Sequence, residues 1–572
     1  MKIITNIFAT ATLLLAIILS VGCEDSGKGA KIIKTDSTNR IEQELTVQSD
    51  SFCANPSEIN LHCASVFSVV MDEQSTLHFA FEQNSEIFYT YATEPYSSFA
   101  PPIAVTDSPE PIYNSAENRP KIVIDKAGGI YISWTKKLSA RFSGDIRFSY
   151  ARNVQNEDPE FSAPVTVNDD SLITGHRFDT LGISPEQDVY IAWIDKRDQH
   201  AAKLKGQNYK GAALYYSVLE SGSKALSENR KIVDHACECC RLAMQTTRHA
   251  RFPMTLMWRH IFPQDMRDHA IGRIGKEPTS DARYLEPYRA TNDQWELQGC
   301  PHHGPQLTGS ADSTEVDMVW FSNGKRNQGV HYARWDWNRK KVINESAIDQ
   351  SPNAGHPDIQ RFQDKLYIAY QTKREQGNKS QSLIKLAVSD APGATWSEPQ
   401  LVIESSSDLD YPQLVANKHS LLLITKTARK LIIKELCQIE IAKAIKPLSK
   451  KVEDFWTASS EPLLVFFWAS DCPPCFEDFS LIGKLTSQYG DKANFAFVAT
   501  DGDRESTELY EIIQEFGLSE YDHYILNTTL DSFRPRFDPS WFGELPRHYR
   551  YEAGQRSAHS GRLGESLTAW FK

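Results

Sequence analysis

RPKIVIDKAGGIYISWT, residues 119–135, contains two short runs of alternating apolar residues on either side of a glycine pair. Ile122 lies before the glycines, and Ile130, Ile132 and Trp134 follow them. A period of two is that of a half-buried β-strand, and a glycine turn between two such runs is typical of a hairpin. The stretch therefore predicts two antiparallel strands, the second of which carries an aromatic residue.

The aromatic strand recurs along most of the chain. Its further copies are LHFAFE at Leu77, VYIAWID at Val189, MTLMWRH at Met254, VDMVWFS at Val316, LYIAYQT at Leu366 and a weaker LLLITKT at Leu421. A repeat of about sixty residues made of strands and turns, without a helical period, indicates a β-propeller. We predict an all-β propeller of seven blades over residues 51–442. Six blades are the alternative, if the last strands close the ring by pairing with the first.

Turns near the blade ends resemble the Asp-box (BNR) turns of sialidase-type propellers. In SDAPGATWSEPQLV, the residues Ser389, Gly393, Thr395 and Trp396 match the motif, whereas Ala391 stands where the motif has aspartate. The resemblance covers about two-thirds of the chain and implies the fold more than the activity, because one fold supports many functions.

A sialidase-like glycoside hydrolase is the alternative function that this resemblance implies. That chemistry needs three arginines around a carboxylate, a tyrosine nucleophile beside a glutamate, and a general acid. The family's usual arginine motif is absent near the first blade. Available residues are Arg119, Arg177, Arg241, Arg259 and Arg267 for the clamp, and Asp265 or Asp268 for the acid.

The segment that leads into the innermost strand of each blade lies at one end of the propeller axis, so these leading segments meet across it. Most of them carry histidine or cysteine, and the other residues of note there are Glu117, Arg119, Asp408 and Asp410. Imidazoles suit copper, zinc or iron, and thiolates select Cu(I), zinc or iron–sulfur clusters. The pattern predicts a copper- or zinc-type site on the axis. Its predicted ligands are His62, His176, His235, Cys237, Cys239, Cys300, His302, His303 and His356.

The cysteines of HACECCRLAM, residues 235–244, allow more than one arrangement. Cys237 and Cys239 point the same way on an extended segment and are the natural chelating pair, whereas Cys240 faces the other way unless a turn intervenes. The alternative to a metal site is structural disulfides with backbone-bonded histidines. The pairs would be Cys240–Cys300 and Cys53–Cys63. Spacing alone leaves both interpretations open.

After the propeller the pattern changes to strands that alternate with helices, which indicates an α/β domain. We predict a linker at residues 443–455 and the domain at residues 456–572. An apolar strand, LLVFFW, runs into WASDCPPC and an amphipathic helix. This motif, with Trp468, Cys472 and Cys475, resembles the thioredoxin superfamily, most closely the TlpA/ResA-type thiol-disulfide oxidoreductases.

The thioredoxin resemblance implies a role for each residue of the motif. Cys472 would be the nucleophile at a helix N-terminus, where the helix dipole lowers the pKa of its thiol, and Cys475 would resolve the mixed disulfide. Pro546, in ELPRHY, matches the place of the family's cis-proline. Two residues depart from the family pattern. Asp471 replaces an aromatic residue, and Phe466 occupies the position where thioredoxin has a buried acid.

The N-terminus predicts export. Residues 1–22 resemble a bacterial lipoprotein signal peptide, in which Cys23 becomes the lipidated first residue and residues 23–50 form a polar tether. We therefore expect a lipid-anchored protein of the cell envelope that faces the periplasm. A net charge of −12 without a basic tract argues against nucleic acid as a partner.

Redox chemistry connects the two predicted domains. Ten cysteines less Cys23 leave an odd number, so at least one is free, metal-bound or redox-active. The thioredoxin-like domain, which needs no cofactor, would keep the propeller thiols reduced so that they can bind copper or zinc. Its expected partner is a thiol or disulfide client protein or a membrane electron donor. A third hypothesis makes the propeller a non-catalytic platform that presents the redox domain.

Overall fold

The chain forms two compact units, of which one ends at Gln438 and the other follows it. The predicted signal peptide, Cys23, the tether and Ala391 lie outside the described residues. The computed structural model describes residues 53, 55, 58–152, 159–247, 249, 251–276, 287–309, 314–376, 379–389, 393, 395–417, 419–438, 445–458, 462–489, 494–501, 509, 512–513, 515–518, 521–526, 528–552, 555–564 and 566–567.

The first unit is built from seven antiparallel sheets within the described residues, six with four strands and the last with three. Each sheet is a blade, and its consecutive strands pair from the axis outwards. The blades are β1 Val66–Met71, β2 Leu77–Gln83, β3 Glu86–Ala92 and β4 Ile103–Ala104; β5 Lys121–Ile124, β6 Ile130–Lys137, β7 Gly144–Ala151 and β8 Val165–Thr166; β9 His176–Ile183, β10 Val189–Asp195, β11 Ala212–Leu219 and β12 Arg230–Ala236; β13 Ala243–Thr246, β14 Met254–Arg259, β15 His269–Ile274 and β16 Tyr288–Arg289; β17 Gln306–Thr308, β18 Glu315–Asn323, β19 Gln328–Asp336 and β20 Lys341–Asp349; β21 Gly355–Phe362, β22 Lys365–Gln376, β23 Lys379–Ser389 and β24 Gln400–Ser405; and β25 Gln413–Ala416, β26 Ser420–Lys426 and β27 Leu431–Gln438.

The third blade follows the same outward order as the others, since β9, β10, β11 and β12 are consecutive neighbours in its sheet. In every blade the first strand is therefore the innermost one. Strand order along the chain and strand order from axis to rim are the same throughout the first unit.

The ring closes between the first and the last blade. Innermost strands contact one another in the order β1, β5, β9, β13, β17, β21 and β25, and β25 returns to β1. Phe67 and Phe79 of the first blade share an apolar cluster with Leu422 and Ile424 of the last. The last blade keeps its own sheet, so the count is seven and the six-bladed alternative is wrong.

Tryptophans on the second strands explain why these segments form blades. Trp134, Trp193, Trp258 and Trp320 are all almost completely buried, and each packs into an apolar cluster shared with the preceding blade. Their indole N–H groups donate to nearby side chains, as from Trp193 to Asp195 at 2.8 Å. The alternating pattern of the sequence thus places one large ring per blade between two sheets.

The Asp-box-like turn joins the third and fourth strands of the sixth blade. The Gly393 N–H donates to the Ser389 hydroxyl at 3.0 Å, and Trp396 packs edge-on against Tyr332. Gly393 has a φ of +72°, and a Cβ there would lie 2.0 Å from the Tyr332 hydroxyl. Only glycine fits this turn.

Helices are few in the first unit. Helix α1, Arg197–Leu204, follows β10, and short 3₁₀ turns lie at Leu61–Cys63 and Pro263–Asp265. Among the described residues, no helix combines the length and the apolar character that crossing a membrane requires.

The second unit is an α/β domain around a six-stranded mixed sheet of order β28-β31-β30-β29-β32-β33. Side chains alternate along the central strand β29: Leu464 and Phe466 face one apolar layer, and Val465 and Phe467 face another. Both faces of the sheet are therefore covered. The elements are β28 Lys446–Pro447, α2 Lys450–Ala458, β29 Leu463–Trp468, α3 Pro473–Tyr489, β30 Phe495–Ala499, β31 Asp522–Ile525, α4 Leu530–Phe537, β32 Arg547–Glu552 and β33 Gln555–Ser560.

The predicted linker at residues 443–455 is wrong for most of its length. Strand β28 pairs in parallel with β31, and Trp456 at the end of α2 is buried against Tyr524 and Tyr551. The proline and the lysines of this segment suggest a linker, but the apolar residues between them belong to the core of the second unit. The domain begins about ten residues before its predicted start.

Candidate functional sites

The cysteine pair of the second unit lies where the central strand runs into a helix. Strand β29 ends at Trp468, a short turn follows, and α3 begins at Pro473, directly after Cys472. Proline suits this first helical position because its missing N–H has no helical partner there. Cys472 and Cys475 are joined by a disulfide, and the Cys475 N–H donates to the Cys472 carbonyl at 3.0 Å.

The turn before Cys472 is fixed by a carboxylate. Ser470 donates to Asp501 from its backbone N–H at 2.9 Å and from its hydroxyl at 2.8 Å. Cys472 is 7 % exposed and Cys475 is 1 % exposed. Cys472 is thus the sulfur nearer to solvent, as a nucleophile requires, and Cys475 is enclosed.

The peptide bond between Leu545 and Pro546 is cis, as the sequence predicts. Leu545 packs against the apolar cluster that contains Cys472 and Cys475. Phe466 contacts the ring of His548 edge-on with centroids 4.3 Å apart. The loop of Pro546 and the cysteine pair therefore border the same apolar layer.

A buried carboxylate on α3 and a buried histidine on β32 lie close together, and no motif of the sequence predicts either of them. Asp478, three residues after Cys475, accepts the N–H groups of Leu563 and Gly564, and His548 Nε2 is 3.8 Å from its carboxylate. Burial holds the pKa of His548 down at about 3. Its neutral ring lies beside Phe466.

The first unit carries a cluster of free thiols. Cys237, Cys239 and Cys240 are 1, 3 and 1 % exposed, and they lie in the connection between β12 and β13. They belong to the apolar cluster between the third and fourth blades, together with residues such as Trp258. This position corrects the predicted axial location, because the thiols lie between blades.

Backbone hydrogen bonds to the neighbouring blade position the thiol-bearing connection. The Cys237 N–H donates to the Arg259 carbonyl at 2.8 Å, and the Ile261 N–H donates to the His235 carbonyl at 2.8 Å. The end of β12 is thus held by the segment that follows β14. The connection then turns at Cys239, which brings Cys240 back toward Cys237.

The sulfur atoms lie at ligand spacing. Cys237 Sγ is 3.7 Å from Cys239 Sγ and 3.9 Å from Cys240 Sγ. A turn does intervene before Cys240, and it brings all three sulfurs within 4.8 Å of one another. Such a set offers three ligand atoms to one metal ion.

The pKa values of the three thiols are shifted in different directions by their surroundings. Hydrogen bonds from Cys239 and Cys240 hold the pKa of the Cys237 thiol well below its ordinary value, and the guanidinium groups of Arg267 and Arg259 act in the same direction. Arg267 Nη1 lies 3.6 Å from Cys237 Sγ. The pKa of Cys239 is raised by the hydrogen bonds to Cys237 and Cys240, and that of Cys240 is raised by burial. Of the three thiols, Cys237 is the one whose surroundings favour the thiolate.

A second group of three ligands shares Cys239 with the first. The thiols of Cys239 and Cys300 and the ring of His302 also lie within 4.8 Å of one another. Cys300 and His302 are exposed and lie in the connection between β16 and β17. The hydrogen bond from Cys239 lowers the pKa of Cys300 to about 7. Cys300 meets Cys239 as a free thiol, so the predicted disulfide with Cys240 is wrong.

The axis itself is occupied by a different group. Glu117 accepts from Arg241 Nη1 at 2.7 Å and from the Gly304 N–H at 3.2 Å, and it lies 3.4 Å from His356 Nδ1. These residues come from the leading segments of four blades. Burial alone would raise the pKa of Glu117, but Arg241 and His356 bring it down to about 2. The axial site is a buried ion pair.

His303 and His356 stack within this axial group and lie outside both thiol groups. His303 lies between Phe321 and His356, with centroids 4.1 Å from each, and His356 stacks on Tyr411 at 3.6 Å. Burial and the neighbouring His356 lower the pKa of His303 to about 2. Neither histidine joins the thiols.

His176 is a structural cation. Its ring lies 3.1 Å from Asp170 and 3.7 Å from Asp195, and Nδ1 approaches the Gly144 carbonyl at 2.8 Å. Burial opposes the charged ring, but the hydrogen bonds to Asp145 and Asp170 outweigh it and raise its pKa to about 10. His176 lies outside both thiol groups, in a separate set with Asp170 and Asp195 whose ligand atoms are also within 4.8 Å of one another.

Two further predicted ligands bind the backbone. His62 accepts the Leu431 N–H at 3.1 Å and lies against Phe99, and His235 Nδ1 is 2.9 Å from the Lys210 carbonyl. Cys63, beside His62, forms a disulfide with Cys53. His62 links the first blade to the last, and His235 lies at the rim of the third blade. Neither histidine belongs to a thiol group.

The arginines proposed for a hydrolase clamp are distributed over several contacts. Arg119 binds Asp410 at 3.0 Å, Arg177 packs over Tyr113, and Arg267 lies beside the thiols. Arg259 is buried and donates to the carbonyls of Arg267, His303 and Phe321. The acid candidates Asp265 and Asp268 pair with Lys210 and Arg289, respectively. Arg119 and Arg241 alone converge, on the ring of Tyr411.

Comparison with solved structures finds similar folds at low identity. The polysaccharide lyase Uly1 is 9 % identical with a TM-score of 0.39, over 65 % of this chain and 90 % of that one. The α-L-arabinofuranosidase Arb93A of Fusarium graminearum is 12 % identical with a TM-score of 0.38, over 56 % of this chain and 90 % of that one. A secreted disulfide oxidoreductase of Mycobacterium tuberculosis, homologous to E. coli DsbE, is 14 % identical with a TM-score of 0.16, over 20 % of this chain and 81 % of that one. No family model and no curated protein matches the chain.

Proposed function

We propose that this chain is a thiol-disulfide oxidoreductase of the cell envelope whose second unit has a thioredoxin-like function. The observation that carries the proposal is the Cys472–Cys475 pair at the start of α3. The first helical turn directs unpaired N–H groups toward Cys472, which favours its thiolate. The negative charge of Asp471 disfavours the thiolate. The helix N-terminus and Asp471 therefore act on the Cys472 thiol in opposite directions.

The exchange proceeds in two balanced steps. The Cys472 thiolate attacks one sulfur of a client disulfide, which forms a mixed disulfide and releases the other client sulfur as a thiolate that takes a proton from water. Cys475 loses its proton, attacks Cys472 and releases the second client thiol. The client gains two electrons and two protons, and the Cys472–Cys475 disulfide forms again. A membrane dithiol donor must reduce that disulfide for the next cycle.

The thiol cluster of the propeller is the client we propose. Sulfurs at 3.7 and 3.9 Å need only a small movement to reach the length of a disulfide bond, so oxidation would join Cys237 to Cys239 or Cys240. A disulfide cannot act as a thiolate ligand for copper or zinc. A reductase on the same chain acts at high effective concentration and would keep the cluster able to bind metal.

Export is part of this proposal. A signal peptide at residues 1–22 and a lipid on Cys23 would place both units outside the cytoplasm and beside a membrane, where a membrane electron donor can reach them. Labelling cells with a fatty-acid analogue tests it. Label on the wild-type chain and none on Cys23→Ala supports the anchor, and label on both chains or on neither contradicts it.

Trapping of the mixed disulfide tests the exchange chemistry. In Cys475→Ser the resolving thiol is absent, so Cys472 should remain bonded to its client. We expect an intramolecular bond between Cys472 and one of the four propeller thiols, identified by peptide mapping after the thiols have been oxidised. The double variant Cys472→Ser/Cys475→Ser is the matched control. A bond to a second protein would favour the platform hypothesis, and no adduct at all would contradict exchange.

A glycoside hydrolase is the second candidate, and one observation favours it. The guanidinium groups of Arg119 and Arg241 lie 5.6 and 5.9 Å from the Tyr411 ring centroid, with Glu117 beside them. Both arginines are already bound to carboxylates, and burial raises the pKa of Tyr411 well above its ordinary value. Release of the fluorophore from a fluorogenic sialoside by the wild-type chain, and its loss in Tyr411→Phe, would support this candidate.

A further inference from the structure

The two ligand groups that share Cys239 form a path from solvent into the propeller. The outer set is Cys239, Cys300 and His302, and the inner set is Cys237, Cys239 and Cys240. Cys300 and His302 are exposed, whereas the thiols of the inner set are buried in an apolar layer. We propose that Cu(I) is captured by the outer set and moves to the inner set by ligand exchange about Cys239. This inference rests on the proposed metal-binding role of the thiols.

Ligand number selects Cu(I) over zinc. A structural zinc ion takes four protein ligands in a tetrahedron. Among the described residues the thiols belong to two sets of three and to no set of four within 4.8 Å, so one tetrahedral site cannot include both Cys240 and Cys300 as the chain stands. Thiolates select soft ions, and Cu(I) accepts three ligands in a plane.

Sulfur spacing fits this coordination. Three sulfurs in a plane at ~2.3 Å from a metal ion are about 4 Å apart. The measured separations from Cys237 Sγ are 3.7 and 3.9 Å. Both separations are close to the spacing that a planar three-sulfur site requires, and all three sulfurs lie within 4.8 Å of one another.

The charges around the inner set fit a monovalent ion. Three thiolates and one Cu(I) leave two negative charges, and the guanidinium groups of Arg267 and Arg259 are the cations that act on Cys237. Glu238, the carboxylate in the same turn, is bound by Lys196 and Gln199. The apolar layer excludes water and thereby protects the bound ion.

The transfer step is balanced without any change of oxidation state. Cu(I) keeps its bond to Cys239, loses its bonds to Cys300 and His302, and gains bonds to Cys237 and Cys240. Cys239 gives its proton to water earlier, when the outer set captures the ion. In the transfer itself, Cys237 and Cys240 bind as thiolates and give any proton they carry to water, and the released Cys300 thiolate takes a proton from water. Hydrogen bonds through Glu117 hold the two connections together, since Glu117 accepts from Arg241, next to Cys240, and from Gly304, four residues after Cys300.

Two single variants separate the two sets. Both are made in the full chain with Cys472→Ser/Cys475→Ser, so that the redox pair neither binds copper nor reduces thiols. The protein is chemically reduced without oxygen, and Cu(I) is supplied as its bathocuproine disulfonate complex. We expect the parent to bind one equivalent. Cys240→Ser should weaken the affinity by about 100-fold or more, because it removes an inner ligand. Cys300→Ser should leave the affinity nearly unchanged and slow the loading several-fold.

The results test Cu(I) binding and the two-set path independently of the redox proposal. Equal loss of affinity in Cys240→Ser and Cys300→Ser, with unchanged loading rates, would overturn the two-set path. No Cu(I) uptake by a parent with four titratable propeller thiols would overturn copper binding itself, as would zinc retained in preference to Cu(I). Because the redox cysteines are absent, each result stands whether or not Cys472 exchanges disulfides.

Discussion

Glu117 Oε1 accepts a hydrogen bond at 2.7 Å from Nη1 of Arg241, a residue 124 positions further along the chain. The same carboxylate accepts the Arg241 backbone N–H at 2.9 Å. Arg241 follows Cys240 directly, so the axial ion pair fixes the end of the thiol-bearing connection. The blade arrangement thereby couples a residue before the second blade to thiols before the fourth.

Loss of this carboxylate should affect both stability and the thiols. Glu117→Gln leaves the buried guanidinium of Arg241 without its charged partner, and we expect the free energy of unfolding to fall by about 3–5 kcal/mol. The connection next to Cys240 should loosen, so alkylation of Cys240 by iodoacetamide should become faster. Urea unfolding and mass-spectrometric alkylation rates measure the two effects.

Glu296→Gln is the matched control, because Glu296 is exposed and pairs only with the exposed Lys325 among the ion pairs of the described residues. It should change the free energy of unfolding by less than about 1 kcal/mol. A Glu117→Gln protein as stable as this control, with unchanged alkylation of Cys240, would contradict the positioning role of Glu117.

His176 makes the stability of the propeller depend on pH. Its pKa is raised to about 10 in the folded chain, above the value of 6.5 for an unperturbed histidine. A raised pKa means that the stabilisation is fully present below about pH 6.5 and is lost as the pH rises through about 10. We expect the wild-type chain to exceed His176→Gln in free energy of unfolding at pH 6, and the difference to shrink toward pH 10. A difference that stays constant over this range would contradict a protonated His176.

Much of the fold is predictable from residues whose local pattern and tertiary environment agree. Trp134, Trp193 and their counterparts repeat at the second strand of the blades, and WASDCPPC predicts a strand, a turn and a helix in order. The predicted linker is wrong because Trp456 gains its burial from Tyr524 and Tyr551, which are distant in sequence. The composition of the segment around Trp456 gives no indication of contacts with residues so distant in sequence.

In the candidate sites, too, some features are predictable from the local sequence pattern and others depend on contacts between distant residues. Proximity of Cys300 to the Cys237 cluster is predictable from the blade repeat, since the two connections are successive. The roles of His176 and Glu117 are not, because they depend on which charges surround them. His176 faces Asp170 and Asp195, and it becomes a cation for that reason. The turn at Cys239 that directs Cys240 inward also depends on the neighbouring blade.

The buried tryptophans should dominate the stability of the propeller. Trp193→Ala removes a ring that is wholly enclosed between the second and third blades, and we expect a loss of about 3–5 kcal/mol in the free energy of unfolding. Leu204→Ala, at an exposed residue of α1, is the control and should change it by less than about 0.5 kcal/mol. Similar losses in the two variants would show that the inter-blade clusters are not the source of stability.

The central claim is that Cys472 keeps the propeller thiols reduced, and the redox state of those thiols in cells tests it most directly. Cells that express the wild-type chain or Cys472→Ser are quenched with acid, alkylated and analysed by peptide mapping of Cys237, Cys239, Cys240 and Cys300. The account predicts mainly reduced thiols in the wild-type chain and mainly disulfides in Cys472→Ser. Equal reduced fractions in the two proteins would contradict it.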